Sequence, residues 1–459
     1  MTDRPRVARL PALALALVAL LTACGGATTS PTITSLPPTA PAATAAASEA
    51  PAIGAVEPAP GSDSAVYAPN PGAIVVAIDP GHGGCLDWGV PDPSERGEEL
   101  AEKTLTLQIA RRLRDRLEAE GVTVVMVRDD DVALAGDLYP DLGCHGPAWR
   151  DVNGDGEAGF DPEGAMRTRD ELQARLDVAN LAQADAFVSI HINSPFDGGQ
   201  TIEIAFSETF YTDETPWGID VTEPLARAVQ DRVVAQLGAI APYERGDRGI
   251  TAHNFYLVAP PLFEPTPERP DPVKQPTRGA LMPTILSEVG SITLQEEHDL
   301  LASPAGQDAV ASGLFGGLVS FFGQRGPAVR IGLEEMAIGA VPTPVEGDGP
   351  PYLAWRAPDA GLWRLRVTNT GTEPLAEGSR IIGGWEPSDA PYLYLPPAEL
   401  TELGDPLPAL APGESVVAVV ELPQPPQADR ALAWISLRTG ASTLADHGSP
   451  ALQLAHEAP

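Results

Sequence analysis

Short apolar runs alternate with amphipathic segments between Ile74 and Phe322, and this alternation restricts the fold more than any other feature of the chain. Apolar runs bounded by turns are typical of buried strands, whereas apolar residues that recur every four positions are typical of helices with one buried face. Strands that alternate with helices predict a sheet that is covered on both faces. The sequence therefore predicts an α/β domain over residues 71–325, with a twisted mixed sheet and helices on both of its faces.

Local patterns predict the individual elements of this domain. Leu105, Ile109, Leu113 and Leu117 recur every four residues and Gly121 stops the pattern, which is typical of a helix. The stretch 74–84 predicts a buried strand that delivers Asp79, Pro80, Gly81 and His82 onto a tight glycine-rich turn. The other predicted elements are strands at 122–127 and 186–192, and helices at 172–184, 224–237 and 305–322.

Four ionisable residues lie at predicted ends of these elements. His82 follows the first strand on the glycine-rich turn of IVVAIDPGHGG, Glu102 opens a helix, and His191 and Glu288 end the apolar strands of AFVSIHINS and PTILSEVG. A single turn histidine is more often a solvated residue. Together, however, groups from separate element ends around one sheet can form a site that local sequence alone would not create.

Six motifs in this order, over about Ile74 to Gly323, resemble the zinc-dependent N-acetylmuramoyl-L-alanine amidases of the amidase-3 type, which cleave peptidoglycan. The matching motifs are VAIDPGHGG, AEKTLTLQIA, EGVTVVMVRDDD, LQARLDVANLAQADAFVSIHINS, RGITAHNFYLV and MPTILSEVGSITLQEEHDLL. The resemblance covers just over half of the chain. It implies hydrolysis of the amide between the lactyl group of N-acetylmuramic acid and L-alanine.

By that resemblance, His82, Glu102 and His191 are zinc ligands and Glu288 is the catalytic carboxylate. The residue types agree with this assignment, because two imidazoles and a carboxylate suit Zn²⁺ and leave a position for water. Glu99 is the alternative to Glu102. We prefer Glu102 because it stands five residues before Leu107, which is the spacing between the ligand glutamate and the helix leucine in the family that the chain resembles. We interpret the remaining histidines as structural or solvated.

Two other functions stay open at this point. A catalytically silent relative could bind the wall or regulate another hydrolase, although all four site positions are intact. A zinc peptidase could instead cut another peptidoglycan amide, because the chemistry at the metal would be the same for either bond. Only the family resemblance selects the lactyl–alanine bond. A regulatory protein partner cannot be identified from the sequence.

The N-terminus predicts export and lipid anchoring. Basic residues precede an apolar run from Leu10 to Leu21 that is too short for a standard membrane span but suits a signal peptide. LTAC follows and resembles a bacterial lipobox, so we expect residues 1–24 to be a lipoprotein signal with Cys24 as the lipidated residue. Residues 25–70 are rich in Ala, Thr, Ser and Pro and predict a disordered linker. The expected location is outside the cytoplasm, on the membrane at the cell envelope.

The formal net charge of −34 argues against nucleic acid as a partner. With Cys24 assigned to lipid, Cys85 and Cys144 could form a disulfide, which is plausible outside the cytoplasm. Cys144 lies in an insertion at about 132–166 that separates two family motifs. We expect this insertion to shape access to the site.

The same insertion contains DVNGDGEAGFDPE, whose Asp151, Asn153 and Asp155 resemble the start of a calcium-binding loop. Position twelve of that loop is Pro162 instead of an acidic residue, and no EF-hand helices are evident. A Ca²⁺ site and a simple turn rich in Asx residues therefore both remain open.

Residues 326–459 follow a different pattern from the α/β domain. Trp363, Leu365 and Val367 alternate with polar residues, and turns rich in Pro and Gly separate further short strands. This pattern predicts a small all-β, sandwich-like accessory domain. Its aromatic residues could stack on sugars or pack in the core; those considered are Trp355, Trp385 and Tyr392.

Overall fold

The computed structural model describes residues 74–84, 87–92, 95–135, 152, 169–197, 200–213, 219–259, 279–334, 343–345, 352–356, 362–386, 397, 399–421, 424–426 and 430–457. Several predicted features lie outside these residues and stay predictions: the signal and lipobox with Cys24, the linker, both cysteines of the predicted disulfide (Cys85 and Cys144), the predicted calcium ligands Asp151, Asn153 and Asp155, and Tyr392. Within the described residues, no helix has the length and apolar character needed to cross a membrane.

Among the described residues up to Phe322 there are eight strands and five α-helices, together with one short 3₁₀ helix at Glu98–Leu100. The strands are β1 (Val75–Pro80), β2 (Thr123–Met126), β3 (Ala186–Asn193), β4 (Phe196–Asp197), β5 (Gln200–Thr201), β6 (Phe206–Tyr211), β7 (Gly246–Ala252) and β8 (Thr284–Ser291). The helices are α1 (Glu102–Ala119), α2 (Arg169–Leu181), α3 (Ile219–Gly238), α4 (Gln295–Ala302) and α5 (Pro304–Phe322).

Six of these strands form one twisted mixed sheet in the order β2-β1-β3-β8-β6-β7. Strands β2, β1, β3 and β8 are parallel, whereas β6 runs antiparallel to β8 and parallel to β7. Helices α1, α3 and α5 share one apolar cluster with Val76 and Ile78 of β1. Helix α2 packs in a second cluster with Val75 and Ala77, which project from the opposite face of the sheet. The predicted mixed sheet with helices on both faces is confirmed.

The observed elements agree with the predicted ones within a few residues, but two details were wrong. His191 and Glu288 do not end their strands, because β3 and β8 continue to pair as far as Asn193 and Ser291 after a local register shift. In addition, β6, β7 and α4 were not predicted.

In the described residues after Phe322, ten further strands form two sheets. They are β9 (Val329–Leu333), β10 (Thr343–Val345), β11 (Tyr352–Arg356), β12 (Leu362–Asn369), β13 (Arg380–Trp385), β14 (Thr401–Leu403), β15 (Ser415–Glu421), β16 (Arg430–Thr439), β17 (Ser442–Thr443) and β18 (Leu452–Glu457). One sheet has the order β15-β12-β9, and the other has the order β10-β11-β18-β16-β13-β14, with β17 beside β16.

The two sheets enclose an apolar cluster, as in a β-sandwich. Trp363, Leu365 and Val367 are buried in it, as their alternation predicts, although Thr368 is buried as well. Trp385 packs against the same cluster and makes an edge contact with the ring of His456. These contacts favour the core interpretation for Trp385 over sugar stacking.

The larger of these sheets also contacts the α/β sheet. Leu432 and Trp434 on β16 belong to the apolar cluster that contains α2 and residues of β1. A buried ion cluster accompanies this contact, in which Asp185 accepts hydrogen bonds from Arg325 and Arg330. The α/β sheet and the following β-strands therefore share a core.

Candidate metal centre

The turn after β1 presents His82 in an unusual backbone conformation. His82 has a φ of 63°, in the left-handed region that non-glycine residues seldom adopt outside functional or tight-turn positions. The preceding Gly81 cannot carry a side chain without a clash, because a Cβ there would lie 2.5 Å from Cε1 of His191. The glycine thus lets the two histidine rings approach each other.

Two buried arginines hold this turn by its carbonyl oxygens. Arg128 donates from Nε to Pro80 O at 2.9 Å and from Nη2 to Gly81 O at 3.0 Å. Arg175 donates to His82 O at 2.6 Å and to the buried carboxylate of Asp79, also at 2.6 Å. Both guanidinium groups are buried, so they hold the backbone of the turn that carries His82.

Three donor atoms converge beside this turn. His82 Nε2 lies 3.1 Å from His191 Nδ1 and 3.3 Å from Glu102 Oε1, and the latter two atoms are 3.2 Å apart. Among the described residues, this is the group of histidine and acidic side chains that could hold a metal ion. Glu99, the alternative to Glu102, is exposed on the short helix that precedes α1 and does not belong to the group.

The size of this triangle fits zinc. Ligand atoms about 2.0 to 2.1 Å from a tetrahedral zinc ion lie about 3.3 to 3.4 Å from one another. The three observed separations are within a few tenths of an ångström of that value. The donor set also matches, because two imidazole nitrogens and one carboxylate leave a fourth position open.

Neighbouring groups orient two of the three donors. His82 Nδ1 is 2.6 Å from Asp87 Oδ1, the carboxylate–histidine arrangement common behind metal ligands. Glu102 accepts backbone hydrogen bonds from Val90 N at 2.9 Å and Ile192 N at 2.8 Å. The donor triangle is therefore built into the fold.

The electrostatics of the group favour a cation. Burial opposes protonation of His82, but the carboxylates of Asp87 and Glu102 outweigh it and raise the pKa of the imidazole. Burial would raise the pKa of Glu102, yet its contacts with His82 and His191 hold that pKa well below its usual range. Both shifts show that the centre stabilises positive charge, whether as protons or as a metal ion.

Glu288 lies beside this centre on the adjacent strand. It is the direct pairing partner of His191 on β3, so the two side chains project from the same face of the sheet. Its Oε2 atom is shielded from solvent and has no hydrogen-bond partner in the described part of the chain. Burial, followed by the charge of Glu102, raises the pKa of the Glu288 carboxyl, which is the direction expected for an acid–base group.

Comparison with known families identifies the chain. The profile of the Amidase_3 family, described as N-acetylmuramoyl-L-alanine amidase, matches residues 76–320, just over half of the sequence. The chain belongs to the Amidase_3 family. As a member, the amidase is a cell-wall hydrolase that acts on peptidoglycan.

Individual relatives resemble the amidase over the same region. The germination-specific N-acetylmuramoyl-L-alanine amidase of Bacillus subtilis (strain 168) is 26% identical over 252 residues, which are 55% of this chain and 81% of that protein. The sporulation-specific amidase of the same organism is 27% identical over 277 residues, 60% of this chain and 78% of that protein. The crystal structure of an N-acetylmuramoyl-L-alanine amidase from Clostridium difficile 630 is 26% identical and covers 55% of this chain and 97% of its own, with a TM-score of 0.37.

Sequence reasoning missed the groups that support the centre of the amidase. Asp87 follows the turn without any motif of its own, and Arg175 lies four residues from Glu171 on a helix, where an ordinary ion pair is the simpler expectation. Glu208, the partner of Glu288 on β6, was also missed because its strand was not predicted. The one available signal was the run of motifs itself, which includes Arg175 in LQARLDVAN.

Proposed function

We propose that the chain is a zinc-dependent amidase that cleaves the bond between N-acetylmuramic acid and L-alanine in peptidoglycan. The observation that carries the proposal is the triangle formed by His82, Glu102 and His191, with Glu288 next to it on the adjacent strand. Membership of the family supports the substrate class. The zinc requirement, the bond cleaved and the residue roles are the content of the proposal.

His82, Glu102 and His191 would hold the ion. A bound zinc ion would supply Lewis acidity, which acidifies water and polarises the scissile carbonyl. Glu288 accepts a proton from the attacking water as that oxygen bonds to the carbonyl carbon, and it returns the proton to nitrogen as the C–N bond breaks. The position of Glu288 suits this double role, because it is paired directly with the ligand His191 and its shielded Oε2 atom has no hydrogen-bond partner within the residues that the structure describes.

The test is digestion of purified peptidoglycan by residues 25–459, followed by mass spectrometry of the soluble products. We expect free stem peptides that begin with L-alanine, and their loss when a chelator is added. Glu288→Gln should abolish release while the protein still binds zinc. Glu99→Gln, which changes an exposed carboxylate outside the donor triangle, is the matched control and should retain activity.

The same digestion separates the other candidate functions. Release of cut cross-links without free L-alanine termini would identify a zinc peptidase in place of an amidase. Zinc-loaded protein that binds peptidoglycan and releases nothing would identify a silent wall-binding relative. Either result would refute the proposed reaction.

We further propose that the enzyme works at the cell envelope, anchored by lipid on Cys24. The support for this proposal is the lipobox-like LTAC sequence after an apolar run at residues 10–21. A flexible linker of about 45 residues would extend about 35 to 40 Å, which gives the catalytic domain reach towards wall material. Cys24→Ser should move the protein from the membrane fraction to the soluble fraction, and unchanged membrane fractionation would refute the anchor.

A further inference from the structure

A second glutamate lies next to Glu288 on the side away from the metal centre. In the antiparallel pair of β6 and β8, Glu208 is directly opposite Glu288, which is itself paired with His191 on β3. Directly paired residues project from the same face of a sheet, with Cβ atoms about 4.5 to 5.5 Å apart. The order across the three strands is therefore metal ligand, acid–base residue and second carboxylate.

The side chain of Glu208 is held in place by two groups from β7. Thr251 donates its hydroxyl to Glu208 Oε1 at 2.8 Å, and Arg248 Nη1 lies 3.7 Å from Glu208 Oε2. The Arg248 guanidinium also stacks over the ring of Phe206, with 3.7 Å between its Cζ and the ring centroid. Glu208 keeps 13% of its side chain exposed, so the carboxylate is oriented but still accessible.

A β-bulge creates this arrangement. Ser207 pairs with Asp247 and Thr209 pairs with Ile250, so that Glu208 alone faces two residues of β7, Arg248 and Gly249. Gly249 has a φ of 73°, a conformation that favours glycine, and its N–H donates to Asp247 Oδ1 at 2.8 Å. Bulges commonly occur beside active sites, where they redirect side chains.

We infer that Glu208 binds the amine that hydrolysis releases from the stem peptide, an inference that rests on the proposed amidase function. The reaction converts an amide and water into a carboxylate and an ammonium group, since both protons of the water finally reside on nitrogen. The nitrogen must lie close to Glu288, which protonates it. Glu208 is the carboxylate beside Glu288 that neither the donor triangle nor proton transfer uses, and an accessible carboxylate is the natural partner of a new ammonium ion.

The test compares a peptide with its deamino analogue, which lacks both the amine and the acyl–alanine amide that the enzyme would cut. L-alanyl-γ-D-glutamate and propionyl-γ-D-glutamate are titrated calorimetrically into the zinc-loaded protein at pH 7, where a free α-amine of ordinary pKa about 7.7 to 8.0 is mostly charged. We expect the peptide with the amine to bind roughly 10- to 100-fold more tightly than the deamino analogue, because a hydrogen bond to a charged group contributes about 1.5 to 3 kcal/mol. Glu208→Gln should remove this preference and leave the affinity for the deamino analogue unchanged.

Two further variants make the result specific. Thr251→Val leaves the carboxylate but removes the hydroxyl that orients it, so it should reduce the preference several-fold; it also serves as the test if Glu208→Gln does not fold. Glu223→Gln changes an exposed glutamate of α3, which pairs with Arg227, and should keep the full preference.

Specific results would overturn the inference. Equal binding of the two compounds by the wild type would do so, as would a Glu208→Gln variant that binds both compounds more weakly to the same extent, because that is the result of a purely structural role. Peptidoglycan digestion distinguishes this failure from failure of the proposed function. An enzyme that releases stem peptides but shows no preference for the free amine refutes the role of Glu208 alone.

Discussion

Removal of the Asp185 carboxylate should strongly destabilise the protein. Asp185 is fully buried, and it accepts hydrogen bonds from Arg325 Nη1 at 2.6 Å, from Arg330 Nη2 and from Val75 N at 2.8 Å. The residue directly precedes β3, which carries His191, while Val75 begins the strand that leads to His82. One side chain thus links the starts of two site-bearing strands to the β-strands that follow the family domain.

The magnitude of the loss follows from burial. Removing one partner of a buried ion pair costs about 3 to 5 kcal/mol, because the remaining charge is left uncompensated. Asp185→Ala also deprives Val75 N of its acceptor, which adds about 1 kcal/mol or more that Asp185→Asn can retain. Against a total free energy of unfolding of about 5 to 15 kcal/mol, either loss is large.

Denaturant unfolding followed by circular dichroism at pH 7 measures the effect. Burial would raise the pKa of Asp185, but the charges of Arg330 and Arg325 outweigh it and lower that pKa. A carboxyl with a lowered folded-state pKa contributes stability above its unfolded value, about 3.9, and loses it as the pH falls through the folded value. The difference between wild type and Asp185→Asn should therefore be full at pH 7 and should narrow only below about pH 4.

Asp129→Ala is the matched control for this measurement. Asp129 also bridges two arginines, Arg111 and Arg114, at 2.9 Å each, but about half of its side chain is exposed. Exposed pairs contribute about 0 to 1 kcal/mol, so this variant should differ little from wild type. If Asp185→Ala also costs less than about 1 kcal/mol, the reasoning from burial is wrong.

Three shorter predictions concern the site and the turn. His191→Ala should lower the zinc content of purified protein, measured by elemental analysis, from one ion per chain towards none, because it removes one of three protein ligands. Gly81→Ala should weaken zinc binding roughly 10- to 100-fold by displacing the His191 ring, whereas Gly238→Ala, where an added Cβ meets nothing within 4 Å, should not. Cys85→Ser should lower the thermal midpoint more under oxidising than under reducing conditions, and equal midpoint shifts under both conditions would refute the predicted disulfide.

The sequence predicts the regular parts of the α/β domain well, because strong periodicity follows from deep burial. Helix α1 has its apolar residues at regular spacing on the face that packs against the sheet, so both its type and its position could be predicted. Strands β6 and β7 contain FSETFY and GDRGITA, in which polar and apolar residues mix because one strand faces the site and the other lies at the sheet edge. Polar residues therefore occupy positions that would be apolar in a fully buried strand, and the alternation that identifies a strand is lost.

In the candidate site, too, some residues could be predicted from the sequence and others could not. His82, Glu102, His191 and Glu288 could be proposed from their motifs, and the structure brings the first three together with Glu288 beside them. The supporting contacts could not be proposed, because they join residues far apart in the sequence. Asp185, for example, meets arginines 140 and 145 positions away, and no local pattern marks such a pair.

The bulge at Arg248 and Gly249 also interrupts the regular backbone along strand β7. Strand β7 is the last strand of the six-stranded sheet, and much of it is exposed. A regular strand at such an edge would present a row of unpaired backbone groups to which a second copy could add a strand. The bulge interrupts that row, and the neighbouring charges of Asp247 and Arg248 oppose apolar contact. The irregularity beside Glu208 therefore also discourages self-association through the sheet edge.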